Sequence, residues 1–442
     1  MKEGKSKLIS GFSKMSKEEK LRWVSQQWEN PAEAQKEFRD FWHQDAQTQH
    51  LLDEFSENTI SNFVFPYGIA PNFVIDGNEH IIPMVIEESS VIAAASNSAK
   101  FWSEHGGFHT EIVSTIKSGN VHFIWEGDSA RLEAIMPNLR EMIYEGTKGI
   151  TANMVNRGGG ILSIELVNLT TELENYYKIR VEFETVDSMG ANFINSCLEE
   201  IASLLRDYIP QHPGFTGKEK EVHIIMSILS NYTPDCLVKA WVECDVAELG
   251  ELDKEHGAAH FAWKFQQAVR IAQVDPYRAT THNKGIFNGI DAVALATGND
   301  FRAIEACGHT FASRNGRYSS LSDIKLENGR FHYGLTVPLA VGTVGGLTTL
   351  HPLARKSLEL LGNPTARELM RIAAVVGLAN NFGAIKSLIT KGIQVGHMKM
   401  HLMNILNQLQ ATDSEKEEAI KYFTIHKVSY SAVDQLLKSL RG

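Results

Sequence analysis

Hydrophobic and polar positions near the start of the chain predict a helical arm. Ser16 is followed three residues later by Glu19, the spacing of a capping box, and the segment LRWVSQQW comes shortly after it. Pro31 closes this segment, because proline does not continue a helix. The small, helix-forming segment SVIAAASNSAKFW at 90–102 predicts a second helix that another backbone or a ligand can approach closely.

Beyond about residue 110 the pattern changes to strands alternating with helices. NVHFIW at 120–125 has the composition of a buried strand. KIRVEFET at 178–185 alternates, with Ile179, Val181 and Phe183 on one face and charged residues on the other, as in a half-exposed strand. Helical spacing follows in the apolar positions from Phe193 to Leu205.

These patterns predict a multidomain protein of the α+β or α/β class. The prolines, glycines and charges of PQHPGFTGKEKE place a boundary near residue 218. We expect a large helix-rich domain from 1–110 and 219–388, a small α/β domain of 111–218 inserted in it, and a C-terminal helical segment of 389–442.

Composition and charge narrow the class of partner. With 43 basic and 53 acidic residues the net charge is −10, which disfavours nucleic acid. No apolar run approaches the ~20 residues that cross a bilayer, and the first residues lack the apolar core of a signal peptide. We expect a cytoplasmic protein without membrane contact, whose four cysteines are reduced thiols.

Two charged residues of the segment 275–300 suggest chemistry. Lys284 stands in HNKG, where its ammonium could stabilise a developing oxyanion; a solvated loop lysine is the alternative. Asp300 could keep a neighbouring lysine charged, or cap a helix that begins at FRAIEA, or do both.

Histidines and glycines offer further candidates. His397 and His401 are four residues apart, as are the histidines of HGAAH at 256–260, a spacing that can hold a metal; without an internal glutamate or an evident third ligand, we expect no metal site. DSMGAN at 187–192 follows a strand and opens a helix, so Gly190 permits close approach of a phosphate. No GxGxxG fingerprint supports an ordinary Rossmann fold.

Five patches in order resemble class II hydroxymethylglutaryl-coenzyme A (HMG-CoA) reductases. They are EESSVIAAAS at 87–96, DSMGAN at 187–192, the long segment at 275–300, PLAVGTVGG at 338–346 and GHMKMH at 396–401, and the resemblance extends from about Glu57 to His401.

The resemblance implies two hydride transfers from NADPH or NADH that interconvert HMG-CoA with mevalonate and free CoA, a large substrate domain, a small cofactor domain, a C-terminal flap and a homo-oligomer built from dimers. The uncharged Ser163 and the nearby Arg157 favour NADPH. The implied site residues are catalytic Glu88, Lys284, Asp300 and His397; substrate-binding Ser90, Arg278, Thr281 and Asn288; and cofactor-binding Asp187, Met189, Gly190 and Asn192.

Departures from the family pattern keep two alternatives open. Ser89 replaces a usual proline, Ser188 a common alanine, and Val395 a commonly basic residue. These changes would suit a non-catalytic CoA-binding homologue, whereas the histidine pairs would suit a metallohydrolase.

Overall fold

The computed structural model describes residues 7–390 and 402–442, which form two compact units that meet in sequence at Pro66 and Tyr67. The helices are α1 (Lys17–Ser25), α2 (Pro31–Asp40), α3 (Ala46–Asp53), α4 (Val91–Ser103), α5 (Ser129–Val155), α6 (Ala191–Gln211), α7 (Ala258–Val274), α8 (Pro276–Ala296), α9 (Phe301–Ala312), α10 (Leu347–Leu350), α11 (Pro352–Leu360), α12 (Ala366–Ile389), α13 (Asp413–Tyr422) and α14 (Tyr430–Arg441). The strands are β1 (Tyr67–Ile75), β2 (Asn78–Val85), β3 (His109–Ile112), β4 (Lys117–Trp125), β5 (Gly160–Asn168), β6 (Tyr176–Glu184), β7 (Val222–Leu229), β8 (Leu237–Asp245), β9 (Ser322–Glu327) and β10 (Arg330–Pro338).

The N-terminal unit contains α1, α2 and α3. The capping box predicted for α1 is confirmed: the Ser16 hydroxyl accepts from the Glu19 amide at 3.3 Å, and the Glu19 carboxylate accepts from the Ser16 amide at 2.8 Å. Pro31 begins α2 rather than ending α1, because the first turn of a helix tolerates a missing N–H.

The second unit begins with a large core. It is built from the β1–β2 hairpin, the antiparallel sheet β3-β8-β10-β9 and the helices α4, α7, α8 and α12. The expectation that no apolar stretch is long enough to cross a bilayer is wrong by length and composition for helix α12, but 78% of its most apolar stretch is buried inside the fold. Helix α12 is therefore the central helix of this core.

Glycines allow α8 and α12 to pack closely. A Cβ atom at Gly289 of α8 would lie 2.6 Å from the Val376 carbonyl oxygen of α12, and one at Gly377 would lie 2.8 Å from Ile290. The two helices therefore meet at backbone distance, and Gly289 of α8 serves packing.

A second, smaller core is built on the sheet β5-β6-β4-β7. All its strand pairs are antiparallel, and α5 and α6 cover one face. The chain order β-α-β-β-α-β with this strand order is the ferredoxin-like arrangement. The alternation predicted for β6 is confirmed, since Ile179, Val181 and Phe183 are fully buried.

The chain enters and leaves the small core between adjacent strands. Strand β3 pairs with β8, and beyond that pairing the amides of Val113 and Ser114 both donate to the Leu237 carbonyl, at 2.9 and 3.3 Å. The Leu237 amide donates back to Ser114 at 2.9 Å. The sheet of the small core extends to Leu229, beyond the boundary expected near residue 218.

Residues 402–442 have a third buried core of their own, made from a helical segment at 402–408 together with α13 and α14. Arg441 joins the end of α14 to α13, because its Nε donates to Glu415 at 2.6 Å. The four cysteines are buried and unpaired, as expected for reduced thiols.

Candidate active site

Helix α8 carries four of the predicted site residues on one face. Arg278, Thr281, Lys284 and Asn288 are spaced by three, three and four residues, which places them along a single stripe of the helix. Asp275 caps the helix by accepting from the Tyr277 amide at 3.0 Å. The loop placement considered for Lys284 is wrong, although its side chain is 56% exposed.

The structure brings Lys284 and Glu88 together. Glu88 lies between the end of β2 and the start of α4, and its carboxylate accepts a hydrogen bond from the Lys284 ammonium. Glu87 is exposed. Of the two adjacent glutamates, Glu88 is therefore the one that pairs with Lys284.

Arg278 provides a cation beside this pair. Its side chain is half-buried, and burial lowers the pKa of its guanidinium, an effect that Tyr333 opposes. Within residues 7–390 and 402–442, no carboxylate lies at ion-pair distance from Arg278. The guanidinium can therefore receive the carboxylate of a ligand through two parallel hydrogen bonds.

The remaining predicted substrate residues differ in their local roles. Ser90 is the N-cap of α4 in a left-handed conformation, with φ 76°. The Thr281 hydroxyl donates to the Tyr277 carbonyl at 3.3 Å, and Asn288 is half-buried.

Asp300 caps α9. Its Oδ1 accepts from the amides of Arg302 and Ala303 at 3.1 and 3.2 Å, and from Arg302 Nε at 3.2 Å. Among the residues that the structure describes, its ion-pair partner is Arg302 rather than Lys284. The capping interpretation holds, and the structure does not bring Asp300 into contact with the lysine.

The PLAVGTVGG segment connects the Asp300 region to the DSMGAN segment. The Thr343 amide donates to the Asp187 carbonyl at 2.8 Å, and Ser188 forms a β-bridge with Val344. Gly342 approaches so closely that a Cβ there would lie 2.4 Å from the Met189 nitrogen.

The DSMGAN segment opens α6 as predicted. Gly190 is the N-cap with φ 90°, and a Cβ there would lie 2.5 Å from a Thr185 side-chain carbon. In the described part of the chain no side-chain cap is found at this helix end, so its first amides can face an anion. Asn192 is exposed and Met189 is half-buried, whereas the Asp187 carboxylate accepts from the Ala366 amide of α12 at 2.9 Å.

Sequence reasoning missed a buried lysine beneath this segment. Lys117 Nζ donates to the Thr185 hydroxyl at 2.5 Å and to the Ser188 carbonyl at 3.1 Å. Burial lowers the pKa of Lys117, while Cys236 and nearby carboxylates oppose that effect. Together with Met189, Lys117 lines a cavity between α6 and α9. Its position on a strand of otherwise alternating polarity gave no signal of this role.

The structure adds an acid to the argument for cofactor choice. Ser163 itself is uncharged, where an acidic residue would favour NADH, but its hydroxyl donates to the Glu182 carboxylate on the paired strand β6 at 2.9 Å. Arg157 is exposed at the RGGG turn, and a Cβ at Gly159 in that turn would lie 2.5 Å from the Glu184 carbonyl oxygen. The RGGG turn therefore packs beside the strand that leads into DSMGAN.

Three carboxyl groups, those of Asp291, Glu305 and Glu87, influence one another near the C-terminal half of α8. Burial, followed by Glu305 and Glu87, raises the pKa of Asp291 to about 8. Asp291 follows Lys284 by seven residues, two helical turns, on the same side of α8. The sequence contains this spacing, but the partner on α9 becomes visible only in three dimensions.

The histidines divide into two groups. His397 and His401 lie outside the described residues. His256 and His260 are described, and the structure places the carboxylate of Asp253 against both rings. The third potential metal ligand, which was not evident from the sequence, is therefore present.

Known proteins match nearly the whole chain. The sequence profile of the hydroxymethylglutaryl-coenzyme A reductase family matches residues 16–402. The 3-hydroxy-3-methylglutaryl-coenzyme A reductase of Archaeoglobus fulgidus is 35% identical over 441 residues, covering 99% of this chain and 95% of the relative. A probable enzyme of the same name from Borreliella burgdorferi is 31% identical over 409 residues, with 91% and 90% coverage.

Solved structures agree with the sequence matches. A 3-hydroxy-3-methylglutaryl-coenzyme A reductase from Streptococcus pneumoniae matches with a TM-score of 0.72 at 33% identity, covering 98% of this chain and 100% of that chain. A class II enzyme from the same organism, bound to NADPH in open conformations, matches with a TM-score of 0.69 at 35% identity, covering 86% and 100%. The mixed helix and sheet fold expected from the sequence is therefore confirmed, and the chain belongs to the hydroxymethylglutaryl-coenzyme A reductase family, in its class II form.

Proposed function

We propose that this protein reduces the thioester of HMG-CoA to mevalonate and free CoA. The observation that carries the proposal is the Lys284–Glu88 ion pair on the same face of α8 as Arg278, a half-buried guanidinium. An oxyanion-stabilising cation, an adjacent acid and a carboxylate anchor are what reduction of this substrate requires.

Each proposed site residue has a distinct role in the reaction. Arg278 binds the free carboxylate of the substrate, with Ser90, Thr281 and Asn288 around it. Lys284 stabilises negative charge on the carbonyl oxygen, first of the thioester and then of the aldehyde, and Glu88 supplies a proton. His397 protonates the departing thiolate of CoA, and Asp300 keeps Lys284 charged once substrate and partners are in place. The balance is two hydrides and two protons for each thioester.

NADPH is the proposed cofactor, and bound NADPH would supply the hydride for each reduction. The residues present fit a dinucleotide: the uncapped N-terminus of α6 suits a phosphate, and Gly190 lets the backbone approach it. Asp187, Met189 and Asn192 complete this segment, and Arg157, the first residue of the RGGG turn, is the cation proposed to receive the 2′-phosphate. The solved relative bound to NADPH supports the same choice.

The three buried cores support a division of labour among domains. We infer that the large core binds HMG-CoA, that the small core, extended to Leu229, binds the cofactor, and that residues 389–442 act as a flap. We also propose that the protein is cytoplasmic and that it forms a homo-oligomer built from dimers. Light scattering of the purified protein would test the oligomeric state.

Steady-state oxidation of NADPH with HMG-CoA tests the function. We expect two molecules of NADPH oxidised for each CoA released, with mevalonate as product and weaker activity with NADH. Release of CoA without oxidation of NADPH would indicate a hydrolase. Binding of HMG-CoA without turnover would indicate a non-catalytic homologue, and either result would overturn the proposal.

A further inference from the structure

Asp253, His256 and His260 form a compact cluster just before and within the first turn of α7. The Asp253 side chain is 8% exposed, whereas those of His256 and His260 are 51% and 36% exposed. One ligand atom from each of the three residues lies within 4.8 Å of the other two. We propose that this cluster binds one divalent transition-metal ion, with Zn²⁺ as the preferred ion.

The distances within the cluster suit such an ion. His256 Nδ1 lies 3.2 Å from Asp253 Oδ1, and His260 Nδ1 lies 3.4 Å from Asp253 Oδ2. Ligand atoms that each sit about 2.0–2.1 Å from a tetrahedral zinc are separated from one another by about 3.3 Å. Each histidine nitrogen thus already stands at ligand spacing from one oxygen of Asp253, and a zinc ion between the three side chains is within reach of one atom from each.

The ligand chemistry also selects a transition metal. Two imidazoles and one carboxylate form a nitrogen-rich ligand set. Such a set binds Zn²⁺ and neighbouring transition-metal ions in preference to Mg²⁺ or Ca²⁺. A neutral imidazole that gives Nδ1 to a metal carries its proton on Nε2. His256 Nε2 lies 3.9 Å from the exposed Glu255 carboxylate, and the His260 side chain is 36% exposed. Binding to neutral imidazoles then needs no net loss of protons, and water occupies the fourth position.

Local structure holds the cluster together. The His256 amide donates to Asp253 Oδ1 at 3.2 Å, and the Gly257 amide donates to the Asp253 carbonyl at 2.8 Å. Leu249 before the cluster and Phe261 after it are fully buried in the large core. The turn is therefore anchored on both sides, and its carboxylate is aimed at the two rings without any ion.

The proposed metal site shares no residue with the proposed reductase site. Helix α7 has 17 residues and is about 26 Å long, and the cluster lies at its beginning, whereas the connection to α8 lies at its end. We assign the ion a structural role, in which it fixes the start of α7. The proposal does not depend on the proposed function, and a failed reductase assay would leave it unchanged.

Cobalt titration of the full-length protein tests the proposal. The protein is treated with chelator, transferred to chelator-free buffer and titrated with Co²⁺, whose visible absorption reports tetrahedral coordination, and Zn²⁺ is then added to displace it. We expect one Co²⁺ per chain, displacement by one Zn²⁺ and a higher melting temperature with Zn²⁺. His256→Gln and His260→Gln should each weaken binding by about a hundredfold or more, since loss of a residue that merely supports a ligand costs about ten- to a hundredfold.

Two controls make the result specific. His50 is an exposed histidine whose Nε2 lies 3.5 Å from the Glu54 carboxylate. This histidine–carboxylate pair resembles the cluster but has no third ligand, so His50→Gln should not change metal binding. His397→Gln combined with His401→Gln removes the other pair with the same spacing and should also leave binding unchanged. His256 is half exposed, so His256→Gln should fold even if a change at Asp253 does not. The absence of stoichiometric binding, or equal binding by wild type and His256→Gln, would overturn the proposal and leave a hydrogen-bonded turn only.

Discussion

Asn299 and Gly342 exchange two hydrogen bonds: the Asn299 side-chain amide donates to the Gly342 carbonyl at 3.0 Å, and the Gly342 amide donates back to Asn299 Oδ1 at 2.8 Å. Asn299 precedes Asp300, and Gly342 packs against Met189. This pair therefore couples a proposed catalytic residue to the proposed cofactor segment.

Replacing Asn299 by Ala should loosen the segment 338–346. The variant loses three hydrogen bonds, the two to Gly342 and one from the Asn299 side-chain amide to the Thr297 hydroxyl at 3.0 Å. At about 0.5–1.5 kcal/mol each, their loss should lower the free energy of unfolding by about 1.5–4.5 kcal/mol. The KM for NADPH should rise by about tenfold, which corresponds to about 1.4 kcal/mol. Urea unfolding and initial-rate kinetics measure these effects, with the exposed Asn153→Ala as control. An unchanged KM for NADPH would show that the segment does not position the cofactor.

Replacing Lys284 by Ala should lower kcat by about 10²- to 10³-fold, the cost of removing one group that stabilises an oxyanion. Both partners of the Lys284–Glu88 pair are substantially exposed, so stability should change by less than about 1 kcal/mol. Lys100→Ala, on the surface of α4, is the matched control. Near-normal turnover by the Lys284 variant would remove this lysine from the mechanism.

Replacing Arg278 by Lys should mainly raise the KM for HMG-CoA. A compact ammonium keeps the charge but cannot make two parallel hydrogen bonds to a carboxylate. Initial rates over a range of HMG-CoA concentrations separate KM from kcat. A variant in which only kcat falls would contradict the anchoring role.

Asp291 should make stability depend on pH. Its pKa in the folded protein, about 8, lies above the unfolded value of about 4, so the protonated carboxyl stabilises the fold. That contribution is complete below about pH 4 and is lost progressively as the pH rises from about 4 to about 8. The stability of Asp291→Asn relative to wild type should therefore increase from pH 5 to pH 8, as measured by urea unfolding. The exposed Asp235→Asn serves as control, and a constant difference between Asp291→Asn and wild type would refute the expectation.

The role of His397 remains a prediction that kinetics can test. His397→Gln should impair reduction of the HMG-CoA thioester strongly and reduction of added mevaldehyde much less, because the free aldehyde has no thiolate to protonate. The measurement is oxidation of NADPH with each substrate in turn. Equal losses with both substrates would reject the leaving-group role.

Sequence patterns predicted those helices and strands whose conformation depends on residues close together in the chain. The alternation of β6 and the capping box of α1 are local, because each depends on residues at most a few positions apart. Helix α8 was harder, since the HNKG segment also suited a loop. Gly289 in this helix is instead required by the close approach of α12, where a Cβ would lie 2.6 Å from the carbonyl oxygen of Val376, a partner nearly ninety residues away in sequence.

Within the site, contacts between side chains that are distant in the sequence could not be predicted from it. Glu182 meets Ser163 only through the register of β5 with β6, which contains a bulge. Asp253 meets His256 and His260 because the turn before α7 folds back, and no motif of histidine spacing contains that carboxylate. The family resemblance supplied candidate residues, whereas the geometry supplied Lys117, Asn299 and Asp291.

The hydrogen bonds between Leu237 and Ser114 also bear on how such a chain can be rearranged. Because the entry and exit of the small core are held side by side by the larger sheet, a link of only a few residues would keep the remaining chain continuous without that core. The entropy of closing the inserted loop grows slowly with its length, by only about 0.6 kcal/mol for each doubling. A gene with this layout can therefore exchange its inserted block for another of different size while the surrounding sheet keeps its register.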